Sequence, residues 1–129
     1  MHELSVMHRD IKSANIFLFR NSDVSTRQAD GGNLYQAKLG DMNVSKVTNQ
    51  NGLNYTQTGT PYYASPEVWK DEPYGYKSDI WSLGCVIYEM LSLKPPFSGR
   101  DMDHLYKRVC KGVFPRIPDH YSNDIWAIV

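Results

Sequence analysis

From Lys77 to Leu93 the chain leaves few polar positions on any face. Ile80, Trp81, Leu83, Val86, Ile87, Met90 and Leu91 spread around the full turn of a 3.6-residue period. Such a segment predicts a helix buried nearly all round, with other elements packed against it. Ser78 or Asp79 can cap its start, and Lys94-Pro95-Pro96 stops it. No apolar run approaches the roughly 18 residues of a membrane span, so the helix belongs to a protein core. A chain of 129 residues has room for one domain with a core of that kind. Met1-His2-Glu3-Leu4-Ser5-Val6 has no basic stretch followed by an apolar one, and no signal peptide is visible.

The other elements are shorter. Val6-Met7 and Ile16-Phe17-Leu18-Phe19 have β character. Arg20 to Gln36 is polar and reads as a loop or hairpin tip, with Ala37-Lys38-Leu39-Gly40 as the returning strand. Met42 to Tyr63 lacks periodicity and reads as a long irregular segment, a kind that is usually functional or disordered. Asp101 to Cys110 reads as a more amphipathic helix followed by Gly112, and Phe114 to Pro118 as extended chain. Ile125 to Val129 is an apolar run with nothing after it to pack against. With the first chemical motif beginning at His8, both ends look cut.

Four blocks carry chemistry. His8-Arg9-Asp10-Ile11-Lys12-Ser13-Ala14-Asn15 fits the pattern H-R-D-x-K-x-x-N. Five fixed residues match by chance on the order of 10⁻⁷ per start. Lys38-Leu39-Gly40-Asp41-Met42-Asn43 places a carboxylate after the returning strand. Gly59-Thr60-Pro61-Tyr62-Tyr63-Ala64-Ser65-Pro66-Glu67 and Lys77-Ser78-Asp79-Ile80-Trp81-Ser82-Leu83-Gly84 follow.

In this order the blocks resemble the catalytic loop, the D-F-G region, the end of the activation segment and the central helix of protein kinases. The resemblance spans the chain. It implies a protein-kinase-like α+β fold: a mostly helical carboxy-terminal lobe with a short β-hairpin at the catalytic loop, and no amino-terminal lobe. Residues 1–129 are then one partial kinase domain without a second domain. Residues Gly59 to Tyr63 before Ser65-Pro66-Glu67, with Gly112, Phe114, Ile117-Pro118 and Tyr121-Ser122, resemble more narrowly the NIMA-related (NEK) family.

The resemblance implies a role for each site residue. Asp10 orients the substrate hydroxyl and accepts its proton, and Lys12 puts positive charge on the transferring phosphoryl group. Asn15 and Asp41 offer oxygen ligands to the Mg²⁺ that accompanies ATP. Thr60 contacts Asp10 and Lys12, a feature of Ser/Thr rather than Tyr kinases. Asp79 accepts hydrogen bonds from the catalytic-loop backbone, although a plain N-cap aspartate is the competing reading. Glu67 pairs with an arginine beyond residue 129. Thr56 is the activation-segment position that the family phosphorylates, with Thr58 a competing site. A phosphate there can pair with Arg9 and order the segment. The implied partners are ATP and a protein substrate bearing Ser or Thr, and no regulatory partner is named by the residues.

The chain also departs from the family. Met42-Asn43 stand where Phe-Gly is usual, and Asn tolerates left-handed backbone. The glycine-rich loop, the strand lysine and the helix glutamate are absent from these 129 residues. From Asn15 to Asp41 is 26 positions, longer than usual. Arg20 to Gln36 therefore reads as a loop insertion, a solvated loop or an unspliced or mispredicted segment. These departures motivate the alternative of a pseudokinase or docking scaffold, against which stand Asp10, Lys12, Asn15 and Asp41 together.

The remaining composition excludes little. Lys plus Arg equals Asp plus Glu at 14 each, so net charge gives no hint of nucleic acid or an anionic membrane as partner. Cys85 and Cys110 form no metal cluster or disulfide framework and read as buried free thiols, which suits a reducing compartment. The expected location is cytoplasmic, with nuclear or cytoskeleton-associated sites compatible. His2, His104 and His120 read as surface residues, His8 as packed within its loop, and Trp69, Trp81 and Trp126 as core or half-buried.

Overall fold

The computed structural model describes residues 1–20, 35–41, 46–47 (backbone only) and 61–129. The chain opens with a 3₁₀ turn, His2–Leu4, and strand β1, Val6–Met7. A second 3₁₀ turn, Ser13–Asn15, leads into β2, Ile16–Arg20. β3, Tyr35–Leu39, returns antiparallel to β2 with Ile16 opposite Leu39 and Arg20 opposite Tyr35. The expected hairpin is therefore present, and its strands run further into the polar stretch than apolar residues alone indicate. Residues 21–34, most of the expected insertion, lie outside the described residues. β4, Lys46–Val47, pairs antiparallel with β1. β4 lies inside the stretch expected to be irregular, because two residues are too few to show a period.

Helices follow. α1, Pro66–Trp69, is a single turn with proline in its first turn, where the missing N–H costs nothing. α2 spans Tyr76–Ser92 and α3 Met102–Lys111. Asp101 caps α3 by accepting from the His104 N–H at 2.7 Å, and Gly112 ends it at φ 64°. α4, Asn123–Ile128, is capped by Ser122.

The core forms where one side of α2 meets the chain after it and α3. Cys85, Phe97, Leu105 and Val109 are buried together, with Tyr62, Tyr63, Trp69, Trp81 and Phe114 packed on them. Aromatic geometry organises the cluster. Trp81 stacks on Phe97 with centroids 5.6 Å apart, and Phe114 meets Phe97, Tyr88 and Trp126 edge-on. The terminal apolar run thus packs through Trp126, which also lies under the Arg116 guanidinium. Trp69, Trp81 and Trp126 are half-buried, as read from the sequence.

Two expectations about α2 are corrected. The helix is not buried all round: Ile80 is 55% and Met90 67% exposed, because among the described elements packing reaches only one side of it. An apolar cavity of about 300 Å³ runs beside that surface, lined by Ile80, Trp81, Gly84, Phe97, Phe114 and Val129. Nor does Ser78 or Asp79 cap the start. Gly75 holds that position without a side-chain bond, and both polar side chains point to other segments. Cys85 is buried, which pushes its thiol up to about 12, whereas Cys110 is only half-buried.

Phe97 is the ring on which the others converge. Phe97→Ala is expected to destabilise the protein by about 3–5 kcal/mol, read as a lower denaturation midpoint at unchanged slope. A loss below about 1 kcal/mol would mean that the cluster is not the core.

Candidate active site

The site is built on β1, the loop after it, and the foot of the β2–β3 hairpin. β1 delivers His8, which is 1% exposed. The Asp10 N–H donates to His8 Nδ1 at 3.3 Å, which leaves the ring proton on Nε2, donated to the Gly40 carbonyl at 3.0 Å. His8 is therefore a packed link between the loop and β3, as the sequence suggested.

Arg9 sits in the left-handed region at φ 69°. For a residue other than glycine that costs roughly 1–3 kcal/mol. The compensation comes from α2. Asp79, 2% exposed, accepts from the backbone N–H of His8 and of Arg9, both at 2.9 Å. Hydrogen bonds to a charged group contribute about 1.5–3 kcal/mol each, so the pair outweighs the strain. His2 also donates to Asp79, at 2.9 Å, and its ring packs on Tyr76. The expectation that His2 is a plain surface residue is corrected here, since a buried carboxylate collects every donor within reach. His104 and His120 are exposed.

Beyond Arg9 the loop turns Asp10 and Lys12 toward each other. Lys12 Nζ donates to Asp10 Oδ2 at 2.7 Å, with each side chain about one-third exposed. Asn15, 5% exposed, donates its amide N–H groups to the Asp10 carbonyl at 2.8 Å and to Oδ2 at 3.0 Å. With the nitrogen used in this way, the amide oxygen is left as an acceptor. The Gly40 N–H donates to the Asn15 carbonyl at 2.9 Å and brings Asp41 beside the same loop. A Cβ on Gly40 would lie 2.7 Å from the half-exposed Phe17 ring, which would have to move aside. Asp41 itself, at φ 58°, is the residue that takes the left-handed turn, a conformation Asp tolerates better than most.

Asn15 and Asp41 supply hard oxygen donors, the chemistry that suits Mg²⁺. Among the described residues no three His, Cys, Asp or Glu side chains are placed to hold a metal. Arg9 donates from Nε to the Tyr74 hydroxyl at 2.9 Å and lies over its ring. Thr56, Thr58, Thr60, Met42 and Asn43 lie outside the described residues.

Below the site, Ser65 donates to Ser78 at 3.1 Å, and Ser78 donates to Glu67 at 2.5 Å. Burial alone would raise the Glu67 pKa. The Ser78 bond, its own backbone N–H, Ser65 and nearby Lys70 outweigh burial and hold it below the ordinary 4.5. Sequence reasoning missed this relay. It also missed Tyr63, whose hydroxyl donates to Glu89 at 2.7 Å. Glu89 was a readable signal, because a carboxylate on so apolar a helix needs a partner.

A family profile described as protein kinase domain matches residues 1–127. The chain belongs to the protein kinase family. Its relatives are NIMA-related serine/threonine kinases. It is 42% identical to serine/threonine-protein kinase Nek5 of Mus musculus over the whole chain and 19% of that protein. Likewise it is 44% identical to probable serine/threonine-protein kinase nek3 of Dictyostelium discoideum, over 97% of the chain and 10% of that protein. With the G2-specific protein kinase fin1 of Schizosaccharomyces pombe the identity is 42%, over 97% of the chain and 16% of that protein. The kinase segment described here thus spans about a tenth to a fifth of the length of these relatives. No helix among its described residues is long and apolar enough to cross a membrane.

The Glu67 carboxyl is held below its unfolded value, so its contribution to stability is present above about pH 4.5. That contribution is lost as the pH falls through the folded pKa. Glu67→Gln should therefore be less stable than wild type near pH 7, with the gap closing as the pH falls below 4.5 through the folded pKa. Denaturant titrations of both proteins across that range check it, and a gap independent of pH contradicts it.

Proposed function

We propose that this chain is the catalytic and activation part of an ATP-dependent serine/threonine protein kinase. In this reading it forms most of the carboxy-terminal lobe, and the phosphate-covering loop and strand lysine come from sequence outside it. The observation that carries the reading is the Asp10–Lys12–Asn15 cluster, closed by bonds of 2.7–3.0 Å and tied through Gly40 to Asp41. A docking scaffold has no need of all four of these groups.

Phosphoryl transfer needs little covalent help and much positioning. Asp10 orients the hydroxyl of a protein serine or threonine and takes its proton. Lys12, now paired with Asp10, offers its charge to the phosphoryl oxygens as the carboxylate turns to the hydroxyl. Asn15 and Asp41 would hold Mg²⁺ through their oxygens, and the bound metal would supply neutralising charge to the phosphates. The family resemblance gives Thr60 a role beside Asp10 and Lys12 that is a feature of Ser/Thr rather than Tyr kinases. Phosphorylation of Thr56 adds close to two negative charges, which draw Arg9 from Tyr74 and order the activation segment.

In the full-length protein, Asp10→Asn should lower kcat by about 10²–10⁴-fold while leaving Mg²⁺-ATP affinity intact. Asp41→Asn should instead weaken Mg²⁺-dependent ATP binding. Peptide phosphorylation and ATP titrations separate the two, and near-wild-type turnover by Asp10→Asn would remove Asp10 as the base.

Thr56→Ala should lose most of the activity, with phosphate on Thr56 in active protein seen by mass spectrometry. Full activity in that variant, with neither Thr56 nor Thr58 modified, would rule out the switch.

A further inference from the structure

The Tyr63 hydroxyl has one proton, and it goes to the Glu89 carboxylate at 2.7 Å. The contact between Tyr63 and Ser13, at 2.8 Å, must therefore be a bond donated by the Ser13 hydroxyl. A directed chain results, Ser13 to Tyr63 to Glu89, running from the catalytic loop through the segment before α1 into α2. The backbone of Tyr63 is fixed to the same helix, since Ser82 Oγ donates to its carbonyl at 2.8 Å.

Glu89 lies ten residues after Asp79 on α2, a separation of about 15 Å along the axis. Asp79 holds the start of the catalytic loop at His8 and Arg9. Glu89, through Tyr63, holds its end at Ser13, with Asp10 and Lys12 between. We infer that Ser13 is a positioning residue for Asp10: its bond to Tyr63 makes α2 grip the catalytic loop at both ends. The same bond ties the loop to the segment that follows Thr60. This deepens the kinase reading and rests on it for its effect on turnover. The bond itself does not.

Ser13 is exposed, so its replacement leaves no buried group stranded and the fold should tolerate it. In the full-length protein, Ser13→Ala should lower kcat for a peptide substrate about three- to tenfold, the range one neutral hydrogen bond spans, with the KM for ATP unchanged. Ser13→Thr keeps the hydroxyl and should restore kcat. Tyr63→Phe should lower kcat at least as far. The double variant should be no worse than Tyr63→Phe alone, because both changes cut one chain.

A readout independent of activity is the ring-carbon NMR signal of Tyr63. Burial raises the phenol pKa, with Glu89 adding to the rise, and the Ser13 bond opposes it. Ser13→Ala should therefore move the Tyr63 titration to higher pH. If Ser13→Ala keeps kcat within twofold of wild type, if the two losses simply multiply, or if the Tyr63 titration does not move, the proposal is wrong. If wild type transfers no phosphate while the titration shifts as stated, the kinase reading fails and the bond stands.

Discussion

The site depends on one buried carboxylate. Asp79 is set into α2, and α2 is positioned by the aromatic cluster of Trp81, Phe97 and Phe114. From there it receives the backbone N–H groups of His8 and Arg9 and the ring of His2. A charge that deep in the fold is tolerable only with its lone pairs satisfied. The same requirement holds the loop in a shape it would not take unaided, with Arg9 in left-handed backbone. Packing energy in the core thereby becomes geometric precision at Asp10.

Further bonds carry that precision outward. His8 and Asn15 bond the carbonyl and the N–H of Gly40, so the loop and the end of β3 move as one piece. Asp10, Lys12 and Asn15 then close on each other, and Asp41 follows directly on Gly40. Chemistry that works by positioning needs this hierarchy: a rigid helix, a strained loop pinned to it, and short polar side chains at the tip. It also explains why a short hairpin with exposed aromatic faces belongs to the site, since its foot supplies both Asn15 and Gly40.

Much of this was legible in the sequence. Fixed spacing in the motif from His8 to Asn15 named the residues that the structure brings together. Helix boundaries at α2 and α3 fell within a residue or two, because proline and glycine punctuate them strongly. The burial of α2 was overread: periodicity reports which positions are apolar, not which have neighbours, and Met90 is exposed. The bonds of Asp79 to the loop backbone were expected from the resemblance, but long-range side-chain pairs were the blind spot. Nothing local marks His2 for Asp79, 77 residues away, or Ser13 for Tyr63, 50 away. Glu89 alone gave a hint, as a carboxylate stranded on an apolar helix.

The central claim is that Asp79 sets the shape of the catalytic loop from within α2. Amide hydrogen exchange at His8 and Arg9, compared between wild type and Asp79→Asn, tests it most directly. Asparagine keeps the side-chain shape but offers one acceptor oxygen instead of two, so one of the two N–H groups loses its partner. We predict that at least one of these amides exchanges about 10- to 100-fold faster, the range expected for losing a charge-assisted bond, while the amides of α2 around Val86 stay protected. Unchanged protection at both His8 and Arg9 in a folded Asp79→Asn protein would contradict the account.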